Sequence, residues 1–349
     1  MRIVVATVRT PFVHGGAEVL ASELVKALLA HGHVAELVPI PFNPADPERI
    51  PDQMLACRLM DLTDIHATPV DRLIALKFPA QLIPHPHKIV WLMHQHRAAY
   101  DLWDHPIGGL HRAPRGGIVR DIIQRADRLM GDEAKAIFTI SRNVTDRLRR
   151  YSGIASTPLY HPPADEAGFY CAEEVGDYFF FPSRLSVTKR QELVIRALAH
   201  TRQPVRVKFS GVADSLPYKG YLLKMARELG VADRLEWLGF LPDSAKRDFY
   251  ASALAVVFPP LDEDYGYITL EAMLASKAVI TCEDSGGPLE FILGGKTGLI
   301  TRPTPEDLAA AMDALWQDRA LAREYGCAGR KHYDEMGLSW SAVVETLLA

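Results

Sequence analysis

Cysteine is scarce in this sequence and long apolar runs are missing, and each absence narrows the class of protein. The four cysteines lie far apart and form no Cys-x-x-Cys pair. This spacing argues against a disulfide framework or a cysteine-based zinc site and favours reduced thiols. No stretch approaches the roughly 20 apolar residues that a membrane span requires. The N-terminus lacks the longer apolar core and cleavage site of a signal peptide, so we expect a cytoplasmic protein.

A large excess of charge of either sign is also lacking. The formal net charge of −4 argues against nucleic acid as the main partner. Apolar residues make up 48% of the chain and charged residues 23%, which is typical of a soluble globular protein without long disordered tracts. The sequence shows no internal repeat and no low-complexity tract. A chain of 349 residues forms two domains more often than one.

Short apolar runs alternate with helical patterns along the chain, which predicts parallel α/β layers. The predicted strands are Ile3–Ala6, Val34–Val38, Lys88–Met93, Ala136–Ile140, Tyr178–Phe181, Val205–Phe209, Arg234–Leu238, Leu254–Phe258 and Ala278–Thr281. Thr157–Gly168 holds three prolines and no periodicity, and we interpret it as a linker between two Rossmann-type domains. Ligands of such domains bind beyond the carboxyl ends of the strands, so a cleft between two facing sheets is the expected site.

Two glutamates eight residues apart, Glu263 and Glu271, are the most informative feature of the second half. Glu263 follows a predicted strand, and Glu271 falls in the first turns of the next predicted helix. Gly266 between them allows a ligand to approach the backbone, and the start of the helix offers unpaired amides to an anion. This arrangement suits a nucleotide-sugar, although an acidic loop followed by an ordinary helix has the same spacing.

Two glycine pairs and one basic loop also follow predicted strands. Gly15 and Gly16 precede the first helix, and Gly286 and Gly287 form a similar turn later in the chain. Such turns bind phosphate through backbone amides in many folds, or simply connect a strand to a helix. In the basic loop, Arg184 and Lys189 could neutralise a diphosphate, or could lie in solvent. Neither glycine pair fits the dinucleotide or P-loop fingerprints.

Two patterns could instead hold a metal ion. His94-Gln-His96 stands at the end of a predicted strand, but no carboxylate or cysteine partner is near it in sequence. Asp262 and Asp264 form an Asp-x-Asp pair that could hold a divalent ion on a diphosphate. Two Rossmann units, each with its own glycine-rich turn, favour cationic side chains over a metal ion as the group that binds the phosphates. We therefore expect no metal and no cofactor.

The segment Arg112–Arg150 carries ten Arg and Lys residues against five Asp and Glu. In an otherwise acidic protein it could contact an anionic membrane surface or glycan, or form a solvated helical face with paired charges. If this segment contacts an anionic membrane surface, we expect the protein to bind peripherally to the inner face of the membrane.

Taken together, these motifs resemble those of retaining glycosyltransferases of the GT-B fold, specifically glycosyltransferase family 4 (group 1). The resemblance covers nearly the whole chain and is strongest from Phe179 to Thr301. The matching positions are Gly15, Gly16, His94, Arg184, Lys189, Glu263, Gly266, Glu271, Gly286, Gly287 and Glu290. Ser183 and Arg190 stand where the family has glycines, and Gln95 stands where it often has Asp.

The resemblance implies two facing Rossmann-like domains with a cleft between them. Residues 1–165 would bind the acceptor and residues 166–337 the nucleotide-sugar donor, and the helix within 338–349 would cross back to the first domain. In the family's pattern Arg184 and Lys189 hold the diphosphate and Glu271 the ribose, while Glu263 and His94 contact the sugar. Backbone amides at Gly266, Tyr267 and Ile268 would touch sugar and phosphate.

The implied activity is metal-independent transfer of a hexose-type sugar, with retention, from a UDP- or GDP-linked donor to a glycan or lipid-linked acceptor in polysaccharide or glycolipid assembly. Two alternatives stay open. One is a nucleotide-sugar epimerase with the same fold, which would isomerise the donor without an acceptor. The other is a non-catalytic sugar-nucleotide-binding protein, which would bind the donor without transfer or hydrolysis.

Overall fold

The computed structural model of this protein describes residues 1–11 and 15–349. The chain divides into two compact units, one formed by residues 1–164 with 339–349 and the other by residues 165–338. Phe12, Val13 and His14, which belong to the predicted Gly15-Gly16 loop, lie outside the described residues.

The first unit is a parallel six-stranded sheet with helices between its strands. Its strands are β1 (Arg2–Arg9), β2 (Val34–Pro41), β3 (Arg72–Ala75), β4 (Lys88–Leu92), β5 (Ala136–Thr139) and β6 (Thr157–Pro158), in the spatial order β2-β1-β3-β4-β5-β6. Its helices are α1 (Gly16–Ala30), α2 (Ile50–Arg58), α3 (Gly116–Glu133) and α4 (Arg142–Ser152). The sheet order reverses direction between β1 and β3, which is where such folds bind ligands.

Two strands of this sheet were not predicted. β3 lies in the middle of the sheet with Leu73, Ile74 and Ala75 fully buried, and periodicity alone does not distinguish such a continuous apolar run from a buried helix. β6 lies at the edge, so the predicted linker Thr157–Gly168 was wrong at its start. Its Pro158 is tolerated because an edge strand leaves one side without ladder bonds.

The second unit is also a parallel six-stranded sheet. Its strands are β7 (Phe179–Pro182), β8 (Val207–Ser210), β9 (Leu235–Gly239), β10 (Ala255–Val257), β11 (Val279–Cys282) and β12 (Gly298–Thr301). Its helices are α5 (Gln191–Leu198), α6 (Leu216–Glu228), α7 (Asp243–Ser252), α8 (Tyr267–Leu274), α9 (Pro305–Gln317) and α10 (Arg319–Met336). The edge strand β12 was not predicted.

The strand order of the second sheet is β12-β11-β10-β7-β8-β9. Counted within the unit, this is the 3-2-1-4-5-6 order of dinucleotide-binding folds read from the other edge. The order reverses between β7 and β10, which pair side by side. The loops that leave the carboxyl ends of these two strands therefore begin at neighbouring points.

The last helix, α11 (Trp340–Leu348), packs on the first unit, as predicted for the crossing helix. Its Trp340 ring lies 6.3 Å from the ring of Trp91 and 5.7 Å from that of His161. Arg72 of β3 donates a hydrogen bond to the carbonyl oxygen of Leu347 at 2.8 Å. Apolar and polar contacts thus both fix the helix to this sheet.

Acid should weaken the first unit through His161. This ring is fully buried against Trp91 and Trp340, and burial lowers its pKa from 6.5 to about 3. Between these two values the unfolded chain binds a proton that the native state does not, so stability falls as the pH falls through 6.5. His161→Phe keeps an aromatic ring and should lose less stability than the wild type between pH 7 and pH 5, by about 2 kcal/mol.

Urea unfolding at both pH values, followed by tryptophan fluorescence, checks this expectation. His200→Phe is the control, because His200 is exposed on the other unit. An equal loss of stability in wild type and His161→Phe would contradict the assignment.

Candidate functional site

Two of the predicted catalytic side chains meet at the switch point of the second sheet. Lys189 lies in the turn that follows β7, and Glu263 lies in the loop that follows β10. The Lys189 Nζ atom donates to both carboxylate oxygens of Glu263, at 2.6 Å each. Both side chains are largely buried, 15% and 23% exposed, and Nζ lies 5.5 Å from the Phe258 ring centroid. The sequence predicted each residue at this edge but not their direct ion pair.

Backbone hydrogen bonds fix the loops that carry this pair. The amide of Leu261 donates to the Thr188 carbonyl at 2.7 Å, which joins the loops after β7 and β10. The amide of Glu263 donates to Ser285 at 2.9 Å, and the amide of Gly287 donates to Glu263 at 2.8 Å, which adds the loop after β11. The ion pair is therefore held on a connected backbone rather than on independent loops.

The loop after β7 adopts a backbone conformation that glycine usually provides. Arg190 has φ 58° and ψ 40°, in the left-handed region, which costs a residue other than glycine roughly 1–2 kcal/mol. Its guanidinium makes a two-bond ion pair with Asp284, at 2.8 and 2.6 Å. The arginine at a glycine position of the family pattern thus keeps the glycine conformation, and the ion pair offsets part of its cost.

Arg184, the other predicted clamp residue, lies more in solvent. Its guanidinium pairs with Asp214 at 2.6 Å, and both side chains are nearly half exposed. Gln191 was missed by the sequence reasoning although it is fully buried and organises this loop. Its side chain donates to the Arg184 carbonyl at 2.8 Å and accepts from the Ser186 amide at 3.2 Å.

The glycines of the second unit allow two loops to pack closely. A Cβ on Gly287 would lie 2.4 Å from the Tyr265 carbonyl oxygen, and one on Gly266 would lie 2.8 Å from Cγ of Pro288. Gly266 also has φ 94° at the start of α8, and Gly286 has φ 70°. The structure therefore gives these glycines a packing role, and their predicted contact with a donor stays a prediction.

Glu271 lies in α8 with both carboxylate oxygens already hydrogen-bonded. Lys246 Nζ donates to one oxygen at 2.9 Å, and the Tyr250 hydroxyl donates to the other at 2.7 Å. Both partners come from α7, and Tyr250 is fully buried. Burial, with the negative charge of Glu271, raises the pKa of Tyr250 well above its usual value, so its hydroxyl remains a donor.

Tyr267 and Ile268, the first two residues of α8, combine packed side chains with backbone amides in the first turn of the helix. Ile268 is 9% exposed, and the Tyr267 ring packs edge-on against Tyr265 at 5.2 Å. Amides in the first turn of a helix have no intrahelical acceptor. The predicted amide contacts at Tyr267 and Ile268 stay a prediction.

In the first unit, His94 follows the carboxyl end of β4, as the sequence pattern predicts. Its Nδ1 atom lies 2.7 Å from the Gln95 carbonyl oxygen, and its side chain is half-buried. Gly15 precedes α1, and its amide donates to the Glu18 carboxylate at 2.8 Å. Gly16 is the first residue of α1.

Gln95, the residue that follows His94, belongs to a buried polar network. Its side-chain amide donates to Ser152 Oγ at 2.8 Å and to the Asp127 carboxylate at 3.3 Å. Asp127 also accepts from Tyr100 and Gln81, at 2.8 Å each, and burial raises its pKa. The glutamine that replaces a frequent Asp is therefore a core hydrogen-bonding residue.

The basic segment Arg112–Arg150 is not one uniformly solvated face. Arg147 is 6% exposed, and the Arg120 guanidinium lies 4.4 Å from the Trp103 ring centroid. Arg125 and Arg128 of α3 are exposed. No helix in the described part of the chain combines the length and apolarity needed to cross a bilayer.

The two sequence patterns that could hold a metal ion are the histidine pair His94 and His96 and the aspartate pair Asp262 and Asp264. The centroid of the His96 ring lies 5.2 Å from that of the Phe78 ring. Burial lowers the pKa of His96 to about 4, and we interpret this ring as a packing residue. Residues 1–11 and 15–349 contain no group of three or more His, Cys, Asp or Glu side chains that could hold a metal ion. Asp262 and Asp264 therefore belong to no such group.

A surface cavity of about 630 Å³ lies in the first unit, away from His94. Residues near the amino end of β4 line it, including His85, together with Arg58 and Glu133. The Arg58 and Glu133 side chains form a two-bond ion pair at 2.7 and 2.6 Å. None of the predicted site residues lines this cavity.

Residues 172–332 match the family described as Glycosyl transferases group 1. The chain is similar to D-inositol 3-phosphate glycosyltransferase from Nocardia farcinica, with 28% identity over 66% of this chain and 53% of that protein. It is also similar to the GDP-mannose-dependent alpha-(1-6)-phosphatidylinositol monomannoside mannosyltransferase from Mycolicibacterium smegmatis, with 26% identity over 64% of each. The chain thus covers less than two thirds of the length of these curated relatives.

Solved structures match almost the whole chain. Sucrose-phosphate synthase from Thermosynechococcus elongatus has a TM-score of 0.81 at 16% identity, over 99% of this chain and 97% of that chain. Anabaena HepE, solved in complex with UDP and glucose, has a TM-score of 0.71 at 17% identity, over 99% of both chains. At these identities the likeness shows the fold, and the predicted α/β architecture of two Rossmann-like units is confirmed.

Proposed function

Because the second unit of this chain belongs to the group 1 glycosyl transferases and the whole chain has the GT-B fold, we propose that it transfers a sugar from a nucleotide diphosphate to an acceptor hydroxyl. The donor is a UDP- or GDP-linked hexose, and the anomeric configuration is retained. A relative that uses GDP-mannose supports this class of donor.

The Lys189–Glu263 ion pair is the observation that carries the proposal. A nucleotide-sugar presents a diphosphate and sugar hydroxyls a few ångströms apart. Lys189 offers a cation for the diphosphate, and Glu263 offers a carboxylate for the hydroxyls, at one point between β7 and β10. Charge-assisted hydrogen bonds of both kinds are the strong ones in such a site.

The remaining site residues take roles in the same scheme. Arg184 joins Lys189 on the diphosphate, Glu271 accepts from the ribose, and His94 contacts the donor sugar near its anomeric carbon. The amides of Gly266, Tyr267 and Ile268 contact sugar and phosphate. The two glycine pairs, Gly15 with Gly16 and Gly286 with Gly287, let backbone approach the donor.

The reaction forms a bond between the acceptor oxygen and the anomeric carbon and breaks the bond from that carbon to the diphosphate. The acceptor attacks from the face that the diphosphate leaves, and a leaving phosphate oxygen takes the acceptor proton. Catalysis then consists of charge stabilisation by Arg184 and Lys189 and of positioning, and it needs no protein base and no metal.

The acceptor is a glycan or a lipid-linked glycan in polysaccharide or glycolipid assembly, bound by the first domain. We place the protein in the cytoplasm, in peripheral contact with an anionic membrane surface. The exposed face of α3 supports that contact, because Arg125 and Arg128 lie there beside Ile118 and Ile122, which are 53% and 38% exposed.

A panel of UDP- and GDP-sugars in a thermal-shift assay tests donor binding, since a ligand that binds only the native state raises the melting temperature. Donors that bind are then incubated with and without candidate acceptors, and the anomeric configuration of any product is read by NMR. Isomerised donor without acceptor would identify an epimerase, and binding without any reaction would identify a sensor.

Chelation of divalent ions should leave turnover within about twofold, because side-chain cations rather than a metal stabilise the leaving diphosphate. Initial rates with and without EDTA check this expectation. Inactivation by EDTA with recovery on adding Mg²⁺ or Mn²⁺ would contradict it and would point to the Asp262 and Asp264 pair.

A further inference from the structure

The Glu271 carboxylate has more acceptor capacity than its two described hydrogen bonds use. A carboxylate has about four acceptor positions on its two oxygens. Lys246 occupies one position on one oxygen, and Tyr250 occupies one on the other. The side chain of Glu271 is 12% exposed, so it is largely but not completely buried. At least one acceptor position therefore remains on each carboxylate oxygen of Glu271. A ligand with two adjacent hydroxyl groups could donate one hydrogen bond to each oxygen.

The two donors from α7 also hold the carboxylate in one orientation. The Tyr250 ring packs between Phe180, at 5.1 Å, and Phe169, at 5.9 Å, so its hydroxyl has little freedom. Burial by itself would lower the pKa of Lys246, but the charge of Glu271 and the hydrogen bond to it raise that pKa above its usual value. The lysine is therefore a cation, and the pair presents a charged and immobile acceptor.

We propose that Lys246 and Tyr250 are positioning residues that make Glu271 a selective receptor for the vicinal 2′,3′-diol of a ribonucleotide. The inference rests on the proposed function and adds the two residues that hold its ribose contact in place. The protein then uses ribonucleotide sugars and discriminates against 2′-deoxynucleotide sugars of the thymidine type. A receptor that hydrogen-bonds a hydroxyl rejects the analogue that lacks it, because a buried polar group is left unpaired.

The test compares affinities for matched diphosphates, UDP with dUDP and GDP with dGDP, by isothermal titration calorimetry. For the pair that binds, the wild type should prefer the ribonucleotide by at least about tenfold, the effect of one hydrogen bond to a charged group. Tyr250→Phe and Lys246→Met should bring this preference below about threefold. Lys246→Arg, which retains a cationic donor, should recover part of it.

The ratio of ribo to deoxy affinity separates positioning from a general loss of stability, which would weaken both nucleotides equally. Tyr250→Phe keeps the aromatic packing, and Lys246→Met provides a second variant if the first does not fold. Asp248→Asn is the control on the same helix, because Asp248 is exposed and accepts a hydrogen bond from Tyr170. Its preference should equal that of the wild type.

With donor in the transfer assay, both variants should raise KM for the donor more than they lower kcat, because ribose binding is remote from the reacting carbon. A wild-type ratio near one, or variants that keep the full ratio, would overturn the inference and leave the proposed function standing. Failure of UDP, GDP and their sugars to bind at all would overturn both.

Discussion

Lys189→Ala should lower turnover by about a hundredfold or more. In the proposed reaction negative charge grows on the departing diphosphate, and the Lys189 ammonium is held at that point by two 2.6 Å hydrogen bonds to Glu263. Removing one such donor from a preorganised site typically costs about 3–4 kcal/mol of transition-state stabilisation. Initial rates at saturating donor and acceptor measure the effect.

The chain offers a closely matched control in the pair formed by Lys208 and Glu236. Lys208 Nζ lies 2.9 Å from Glu236 and 4.5 Å from the Tyr178 ring centroid, so it too is a paired lysine over an aromatic ring of the second unit. It lies on β8 within the sheet rather than in the loop after β7. Lys208→Ala should leave turnover nearly unchanged. A loss of less than threefold in Lys189→Ala would reject the diphosphate-clamp assignment.

Glu263→Gln should change nucleotide binding and turnover in opposite directions. The substitution keeps the shape of the side chain but removes the charge that pairs with Lys189. The freed ammonium should bind a nucleoside diphosphate at least about tenfold more tightly, because two negative charges about 4 Å apart repel by about 4 kcal/mol at an effective dielectric constant near 20, before screening by salt. Turnover should fall about a hundredfold, because charge-assisted hydrogen bonds to the sugar are lost.

Calorimetric titration with UDP and GDP, alongside transfer rates, separates the two effects. Glu236→Gln removes the same charge from the matched pair and should alter neither quantity. If Glu263→Gln weakened nucleotide binding, Glu263 would act on the nucleotide itself rather than compete with it for Lys189. The tighter product binding expected here also gives Glu263 a role in releasing the diphosphate after transfer.

Most strands were predictable because they lie in apolar runs that are bounded by turn residues. β1 and β7 show apolar runs that end in turn residues, and the helices between strands repeat at helical spacing. The missed strands begin or end at residues that interrupt such a run, because β3 begins at Arg72, β6 ends at Pro158 and β12 begins at Gly298. In these segments the neighbouring strand that supplies the hydrogen-bond ladder decides the structure, and that information lies elsewhere in the chain.

The residues of the candidate site also fall into those that the sequence predicted and those that only the structure showed. Glu263, Glu271 and Lys189 were found because they stand in short motifs after predicted strands. Lys246 and Tyr250 were missed because α7 has no motif that ties it to α8, and they meet Glu271 only in the folded chain. Likewise, no local signal showed that Arg190 takes a left-handed conformation, since its Asp284 partner is 94 positions away.

The sequence by itself determined the alternation of strands and helices, the places where loops leave the strands, and the residue types that those loops carry. These are local properties, fixed by side-chain periodicity and by glycine and proline. Only the tertiary structure decided which loops become neighbours. The reversal of strand order between β7 and β10 places Lys189 against Glu263, 74 residues apart, because parallel strands present their carboxyl ends at one edge of the sheet.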